Sequence, residues 1–469
     1  MKFNISRQKA GLALGPLLFL LILLSEIEGL SWEARSIAAS TAWIACWWLT
    51  EAIPIPATSL MPIILFPLLG ALEVGKVTAE YGNQIIFLLI GGFFIAIAME
   101  KWRLHIRIAL YIVRTIGTSP RRAIAGFMAA TAFISAWISN TATAMMMIPI
   151  ATAVIFQASK GGEDKNFNIA IMLSVAYAAS IGGVSTLIGT TPNLIFAGIY
   201  RTFYGNEITF LQWASFGVPI AVFILVICWA YLVYVAYPPK IKALGDGIED
   251  EIKRLGNMTG QEKKVLAVFL LVASLWVTRA FWGKYLPLIT DSGIAIFGAF
   301  LLFLIPAGQE KALLKWNDAI KLPWDVVLLL GGGLAIAKGF TETGLDAWIA
   351  HQLIFLKGMS AIVIILTVVT LTIFLTEITS NTATATILLP VTASLASALG
   401  MEPAGLMMAT AMSASLAFML PVATPPNAIV FGTGYVTMPQ MARAGLWMNL
   451  FCIAIITLYI YVMPIGYVR

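Results

Sequence analysis

The sequence predicts an all-α polytopic membrane protein. It should have about eleven transmembrane helices in two inverted-topology repeats, each with a re-entrant helical hairpin and a broken helix. Two observations carry this prediction. The chain of 469 residues is 60% hydrophobic and only 11% charged, which is too little charge for a soluble protein of this length. In addition, several motifs occur twice in the same order.

The clearest repeat is the six-residue sequence Ser-Asn-Thr-Ala-Thr-Ala, which occurs at Ser139–Ala144 and again at Ser380–Ala385. Pro149 and Pro390 follow the two copies at the same distance. Further matched motifs lie before and after this sequence in each half: Gly91–Ala98 with Gly332–Ala337, and Thr190–Asn193 with Thr424–Asn427. Matched motifs in the same order indicate that the chain consists of two related halves.

Basic residues predict which ends of the helices face the cytoplasm. Lys2, Arg7 and Lys9 place the N-terminus on the cytoplasmic side, before an uncleaved first helix at residues 11–25. A single third helix should follow Pro54 and Pro56 and end near Gly70. The last helix should leave the C-terminus outside.

Two basic segments, 101–122 and 240–264, are both predicted to be cytoplasmic. An even number of crossings must therefore separate them, and two plain spans are visible between residues 168 and 237. The remaining stretch, 122–160, must enter and leave the membrane on the same side. Its midpoint is the first copy of the repeated sequence, so that copy should form the tip of a re-entrant hairpin.

The second half should repeat this arrangement in the opposite sense. Its hairpin, at residues 360–398, is expected to dip from the outside. Helix 5 should be broken at Gly189–Asn193 and helix 10 at Ala423–Asn427. The charged linker 238–262 is expected to form a surface helix between the halves, and a docking site for a partner there is the less favoured alternative.

The paired motifs indicate a binding site because interrupted helices in corresponding positions of inverted halves mark a substrate site near the membrane midplane. At each hairpin tip, Ser and Asn can cap the following helix, whose free N–H groups and positive dipole end favour an anion. Proline in the opposite breaks removes N–H groups and leaves carbonyls unpaired. Such carbonyls, with hydroxyl and amide oxygens, suit a small hard cation such as Na⁺.

The four motifs contain no Lys, Arg or His. Holding a multiply charged anion at mid-membrane with neutral groups alone is energetically costly. Cations bound beside the anion would offset its charge, so we expect the two to bind together, as in symport. An alternative is that these motifs of small residues only let helices pack closely. That explanation accounts for one copy of the motif but not for two copies with matched breaks.

Glu377 is an acid within the second apolar hairpin, and its counterpart in the first half is Ala136. An acid inside a membrane segment is a candidate proton or cation ligand. Because it breaks the symmetry of the site, we favour a structural pairing with a neighbouring base or with the backbone.

Rival functions fit the sequence less well. An intramembrane hydrolase would need a nucleophile with a base, or metal ligands, and neither pattern occurs in a hydrophobic span. A channel is a better rival, because opposed hairpins can also line a pore. A proton- or metalloid-coupled antiporter is a third option, weakened by the lack of a symmetric buried acid.

The paired Ser-Asn-Thr motifs and the segment Trp47–Thr58 resemble the divalent anion/sodium symporter family, the sodium-coupled di- and tricarboxylate transporters. The resemblance covers essentially the whole chain. It implies a homodimer in which a mobile transport domain moves substrate past a scaffold domain by an elevator-like displacement. Some members are sodium-independent exchangers with basic side chains at the cation sites, whereas this chain keeps small and hydroxyl residues there, which favours symport.

The resemblance also implies individual site residues. Substrate carboxylates would be contacted by Asn140, Thr141, Asn381, Thr382, Thr424 and Pro425. One sodium site would use Ser135, Ser139, Asn140 and Gly189, and the other Thr376, Thr379, Asn381 and Ala423.

It further implies a division of the chain. The expected segments are 1–82 (scaffold helices 1–3), 83–200 (first half of the transport domain), 201–262 (helix 6 and cytoplasmic linker), 263–322 (scaffold helices 7–8), 323–437 (second half of the transport domain) and 438–469 (helix 11).

The expected function is sodium-coupled symport of di- or tricarboxylates, of the succinate, malate and fumarate class, into the cell across the inner (plasma) membrane. The alternatives are a sodium-independent dicarboxylate exchanger and, less favoured, an anion channel. Na⁺ is expected as the coupling ion, without an organic cofactor, enzymatic activity or a nucleic-acid partner. The excess of basic over acidic residues is attributed to membrane topology.

Overall fold

The computed structural model describes residues 7–117, 119–159, 164–241, 247–308 and 311–463. The described part is helical, and it includes 9 helices that are long and apolar enough to cross a membrane. Two shorter apolar helices lie at 291–304 and 361–376, and a third apolar stretch, 55–68, is divided between two short helices. These observations confirm the predicted all-α polytopic membrane fold, while the inverted relation of the halves and the number of crossings stay predictions.

The described residues of the first half form twelve α-helices. They are α1 Arg7–Leu24, α2 Trp32–Thr50, α3 Ile55–Thr58, α4 Met61–Leu68, α5 Val74–Ala79, α6 Gln84–Lys101, α7 Leu104–Ile116, α8 Pro120–Ser135, α9 Asn140–Ser159, α10 Lys165–Val184, α11 Thr191–Tyr204 and α12 Phe210–Ala230, which continues as a π-helical turn, Tyr231–Ala236.

The second half contains the remaining helices of the described chain. They are α13 Gly247–Leu255, α14 Gly260–Trp282, α15 Asp291–Leu304, α16 Trp316–Ala319, α17 Trp324–Thr343, α18 Leu345–Gln352, α19 Ala361–Thr376, α20 Asn381–Leu399, α21 Pro403–Ala414, α22 Pro425–Gly432 and α23 Met438–Val462. The α13 helix lies within the linker, where a surface helix is predicted.

Both predicted hairpins are present as pairs of helices with short tips. Residues 136–139 join α8 to α9, and residues 377–380 join α19 to α20. Asn140 and Asn381 are therefore the first residues of the returning helices. Short tips followed at once by a helix leave the first N–H groups of α9 and α20 without intrahelical partners.

The third helix differs from the prediction. Instead of one helix ending near Gly70, the chain forms α3 and α4, separated at Ser59 and Leu60. The physical reason is the density of proline. Pro62 begins α4, where its missing N–H costs nothing, but it cannot donate the bond that would continue α3.

Both helix breaks lie N-terminal to their predicted positions. The first spans residues 185–190 rather than Gly189–Asn193, and the second spans 415–424 rather than Ala423–Asn427. Pro192 and Pro425 occupy the first turns of α11 and α22, where proline is favoured. These prolines therefore start the second half-helices, and the breaks precede them.

The two halves interlock around the breaks. The α11 helix packs against α20 and α21 of the second half, and α22 packs against α9 and α10 of the first half. At the centre, residues 167–184 of α10 are all buried, and Gly182 lies so close to α8 that a Cβ would overlap the backbone of Ala132. A separate apolar cluster joins α2, α4 and α17.

Charged contacts fix both ends of the linker. Arg107 on α7 pairs with the buried Glu262 at 2.8 Å and donates to the carbonyl of Gly256 at 2.9 Å. Asp164, just before α10, accepts hydrogen bonds from the backbone N–H groups of Lys240 and Ile241. The linker is thus attached to the first half of the protein at two points.

Candidate functional site

The four repeated motifs converge on one cavity of about 610 Å³. Both hairpin tips and both helix breaks contribute to its wall, although they are far apart in sequence. All six predicted substrate residues line this cavity: Asn140, Thr141, Asn381, Thr382, Thr424 and Pro425. The two tips and the two helix breaks are thus brought together from both halves of the chain.

At the first tip, three oxygen atoms share a single proton. The hydroxyl oxygen of Ser135 lies 2.6 Å from Oδ1 of Asn140 and 2.7 Å from the carbonyl oxygen of Ala179 on α10. A serine hydroxyl has one proton, so it can donate to only one of these two acceptors at a time. Ser135 is fully buried. With Oδ1 of Asn140 turned toward it, the hydroxyl proton serves one of the two acceptors and leaves the other without a hydrogen.

The second tip repeats this arrangement. The hydroxyl oxygen of Thr376 lies 2.7 Å from Oδ1 of Asn381 and 2.8 Å from the carbonyl oxygen of Ala414, the last residue of α21. Thr376 is also fully buried. Each half therefore presents a hydroxyl, an amide oxygen and a backbone carbonyl at one point with one proton among them, which is an arrangement that a small cation would stabilise.

The other predicted sodium ligands are placed less uniformly. Ser139, Gly189, Thr379 and Ala423 all line the cavity. The hydroxyl of Ser139 accepts from the N–H of Ala142 at 3.3 Å, as a helix cap does. The hydroxyl of Thr379 is 2.6 Å from that of Thr384 and donates to the carbonyl of Leu375. Ser139 and Thr379 therefore make local contacts, whereas Ser135 and Thr376 face the amide oxygens directly.

Two matched asparagines hold the broken helices in shape. The side-chain amide of Asn193 donates to the carbonyls of Gly183 (3.1 Å) and Thr186 (2.7 Å). In the second half, Asn427 donates to the carbonyls of Ala417 (3.2 Å) and Leu420 (3.1 Å). Both side chains are fully buried and satisfy carbonyls that the break would otherwise leave without partners.

Glu377 accounts for the difference between the two breaks. Its buried carboxylate accepts from the N–H groups of Phe418 (2.7 Å), Met419 (2.9 Å) and Leu420 (3.1 Å). The second break is longer than the first, and these hydrogen bonds satisfy the extra backbone groups. Glu377 therefore makes the backbone pairing that the sequence analysis favoured over a proton-carrying role.

Charged side chains lie at the rim of the cavity, outside the four motifs. Arg7 and Lys321 line it together with three acids, Glu51, Glu100 and Asp325. Arg7 donates to the backbone carbonyls of Leu49 and Ile378, the latter at 3.2 Å, and so links the first helix to the second hairpin tip. The residues that the tips and the breaks contribute to the lining are uncharged, as the motifs predict.

Comparison with known proteins identifies the family. Residues 10–468 match the family described as the sodium:sulfate symporter transmembrane region. The chain belongs to this family. Its members are membrane transport proteins, so the chain is a transporter and not an enzyme.

Relatives with closely similar sequences come from staphylococci. The chain is 48% identical to the sodium-dependent dicarboxylate transporter SdcS of Staphylococcus saprophyticus, over 97% of this chain and 91% of that protein. It is 47% identical to the protein of the same name from Staphylococcus aureus (strain NCTC 8325), over 98% of this chain and 92% of that protein.

Solved structures of remote transporters share the fold. The Alcanivorax borkumensis YdaH transporter superposes with a TM-score of 0.63 at 15% identity, over 91% of this chain and 99% of that one. Neisseria gonorrhoeae MtrF superposes with a TM-score of 0.58 at 13% identity, over 83% and 84% of the two chains. At these identities the likeness concerns the fold alone.

The sequence analysis missed several residues in and around the central cavity. The carbonyls of Ala179 and Ala414 carry no side-chain signature. Gly183 packs so closely on Asn140 that a Cβ would lie 2.6 Å from its Oδ1. Asn193 and Asn427 had a usable signal, because they end the matched motifs, but their role in bridging the breaks became visible only in the fold.

Proposed function

We propose that this protein is a secondary active transporter that carries dicarboxylates into the cell together with sodium ions. The observation that carries the proposal is the oxygen cluster at each hairpin tip. Ser135 and Thr376 each face two acceptors with one proton. A bound Na⁺ would relieve both contacts, and its charge would favour an anion in the adjoining cavity.

The substrate is a small dicarboxylate of the succinate, malate and fumarate class. Two kinds of support favour it. The staphylococcal relatives at 47% to 48% identity are named sodium-dependent dicarboxylate transporters. The cavity also offers uncharged donors at both ends: Asn140 and Thr141 at one tip, and Asn381 and Thr382 at the other, which can bind one carboxylate each. Thr424 and Pro425 complete the wall.

In this proposal each sodium site belongs to one half. Ser135, Ser139, Asn140 and Gly189 would form the first site, with the carbonyl of Ala179 as an added ligand. Thr376, Thr379, Asn381 and Ala423 would form the second, with the carbonyl of Ala414 added. Hydroxyl, amide and carbonyl oxygens are the ligands that transporters of broken-helix type offer to Na⁺.

Transport would follow an elevator-type alternating-access mechanism. The two segments 83–200 and 323–437 would move together as a transport domain, and the packing of α11 and α22 on the opposite hairpins supports their moving as a unit. Segments 1–82 and 263–322 would form the scaffold, in a homodimer of the plasma membrane with a cytoplasmic N-terminus and the C-terminus outside.

Two alternatives make different predictions. A sodium-independent exchanger of the same family would need a basic side chain at the cation clusters, whereas Ser135 and Thr376 face oxygens only. An anion channel would conduct without saturation. Counterflow by preloaded vesicles would support a carrier, and single-channel currents would support a pore.

The test is uptake of labelled succinate, with citrate in parallel, into proteoliposomes with and without an inward sodium gradient. We expect concentrative uptake of succinate only with the gradient. Asn140→Ala and Asn381→Ala should each abolish most of it, since each removes a ligand shared by substrate and sodium. Equal accumulation without sodium would contradict the proposal.

A further inference from the structure

A second concave surface lies on the outside of the protein, between the end of α12 and α23. This groove has a volume of about 690 Å³ and shares no lining residue with the central cavity. Its walls are apolar and aromatic and include Tyr231, Tyr234, Trp447 and Phe451. Tyr234 and Trp447 are about half exposed, so the groove is open to the outside of the protein. It lies between two helices that are long and apolar enough to span a membrane.

One end of the groove is polar and positively charged. The hydroxyl of Tyr237 donates to the carbonyl of Gln440 at 3.1 Å and closes this end. Arg443 lines the groove beside this bond; it is exposed, and no acid within the described chain pairs with it. Arg121 adds a second cation nearby, with its guanidinium carbon 4.7 Å from the ring centroid of Tyr234.

The backbone of the groove is also unusual. The wall contributed by the first half is the π-helical turn Tyr231–Ala236, which continues α12. π-Helical turns are rare and occur frequently at functional sites. Here the turn presents Tyr234 and Val235 outward, where Val235 is 70% exposed.

We propose that this groove is a binding site for an anionic phospholipid, whose phosphate lies at Arg443 and whose acyl chain lies along Tyr231, Trp447 and Phe451. The two helices that form the groove are long and apolar enough to span the membrane, and in that position lipid has direct access to the groove. Basic pockets between transmembrane helices recognise anionic head groups. The apolar length of the groove matches the acyl chain of such a lipid, and the cation at its end matches the phosphate.

Charge distinguishes this occupant from two others. A zwitterionic lipid would bring its ammonium group toward Arg443 and Arg121, and the groove lining holds no acid to receive it. A second copy docked here across a twofold axis would bring two copies of Arg443 into one contact, again without an acid. A head group with net negative charge has neither disadvantage.

The experiment uses Trp447 as a reporter. The full-length protein is reconstituted in vesicles that contain phosphatidylglycerol or phosphatidylcholine with brominated acyl chains, which quench nearby tryptophan fluorescence. The share of quenching lost in Trp447→Phe reports lipid in the groove. We expect brominated phosphatidylglycerol to be preferred over brominated phosphatidylcholine in the wild type, and the preference to fall about fivefold in Arg443→Gln.

Two further variants control for charge and folding. Arg122→Gln removes an equally exposed cation that does not line the groove, and it should leave the preference unchanged. Arg443→Lys keeps the charge and should retain most of the preference. Equal quenching by the two lipids in the wild type, or an unchanged preference in Arg443→Gln, would overturn the proposal. Absence of any Trp447-dependent quenching would overturn it as well, because another protein segment would then cover the groove.

Discussion

The side-chain amide of Asn449 donates a 2.7 Å hydrogen bond to Oε1 of Glu377, and through it α23 is joined to the tip of the second hairpin. The same carboxylate accepts from the unwound backbone that follows α21, at Phe418 and Met419. One buried acid thus connects three segments beside the oxygen cluster of Thr376, Asn381 and Ala414, and it is a positioning residue for that cluster.

Glu377→Gln should destabilise the protein. Glutamine keeps the shape but replaces one acceptor oxygen with an NH₂ group that faces a backbone N–H, and loss of a buried hydrogen bond to a charged group costs on the order of 1–3 kcal/mol. Thermal unfolding in detergent should show a lower midpoint, and uptake should fall because the second break is no longer held. Glu26→Gln changes an exposed acid and is the matched control. An unchanged midpoint would exclude the anchoring role.

Removal of the Thr376 hydroxyl should weaken sodium binding. Ligands that bind the folded state raise the unfolding midpoint as their concentration increases, so sodium binding can be measured without transport. We expect Thr376→Val to lose much of the sodium-induced shift and to need more sodium for half-maximal uptake. Thr376→Ser keeps the hydroxyl and should behave like the wild type. The proposed second site is wrong if valine and serine variants respond alike.

Gly183→Ala should impair transport through Asn140. The added Cβ would lie 2.6 Å from Oδ1 and 3.1 Å from Nδ2 of that side chain, so the amide must shift and its contact with Ser135 is disturbed. We expect the sodium-induced thermal shift and uptake both to decrease. Gly75→Ala is the matched control, since no atom lies within 4 Å of its added Cβ. Normal sodium dependence in Gly183→Ala would show that Asn140 need not hold this position.

Asp164 should contribute a pH-dependent part of the stability. Burial raises the pKa of its carboxyl, but hydrogen bonds from the N–H groups of Lys240, Ile241, Phe167 and Asn166 outweigh burial and hold the pKa below its ordinary value. A lowered pKa in the folded state means that the contribution is complete above the pKa of the unfolded chain. It is lost as the pH falls through the folded pKa.

The expected result is a lower unfolding midpoint for Asp164→Asn at pH 7, by an amount that corresponds to about 1–3 kcal/mol. The difference from the wild type should shrink as the pH falls below about 4, the pKa of an unfolded aspartate, because the unfolded chain then binds a proton that the folded carboxylate does not. Asp346→Asn changes an acid that makes no hydrogen bond of this kind and serves for comparison. A difference that is constant from pH 3 to pH 7 would contradict the charge-based explanation.

The sequence predicted which residues line the central cavity because these residues lie in short repeated motifs. Asn140 and Asn381 follow directly from the repeat, and their convergence follows from the topology that the basic segments predict. The extents of the breaks were misplaced because a proline can end one helix or begin the next, and Pro192 and Pro425 do the latter. The partners of Ser135 and Thr376 include backbone carbonyls of Ala179 and Ala414, and any residue supplies a carbonyl, so only the packing of α10 and α21 could reveal them.

The burial of residues 167–184 of α10 has a consequence for how this membrane segment tolerates mutation. A span that touches lipid has one permissive side, and a scan of single tryptophan substitutions along α14, only 28% buried, should show damage along a single stripe. The same scan of residues 167–184 should show damage at every position, with no helical periodicity. In mutational data this transmembrane helix should be indistinguishable from the interior of a water-soluble enzyme.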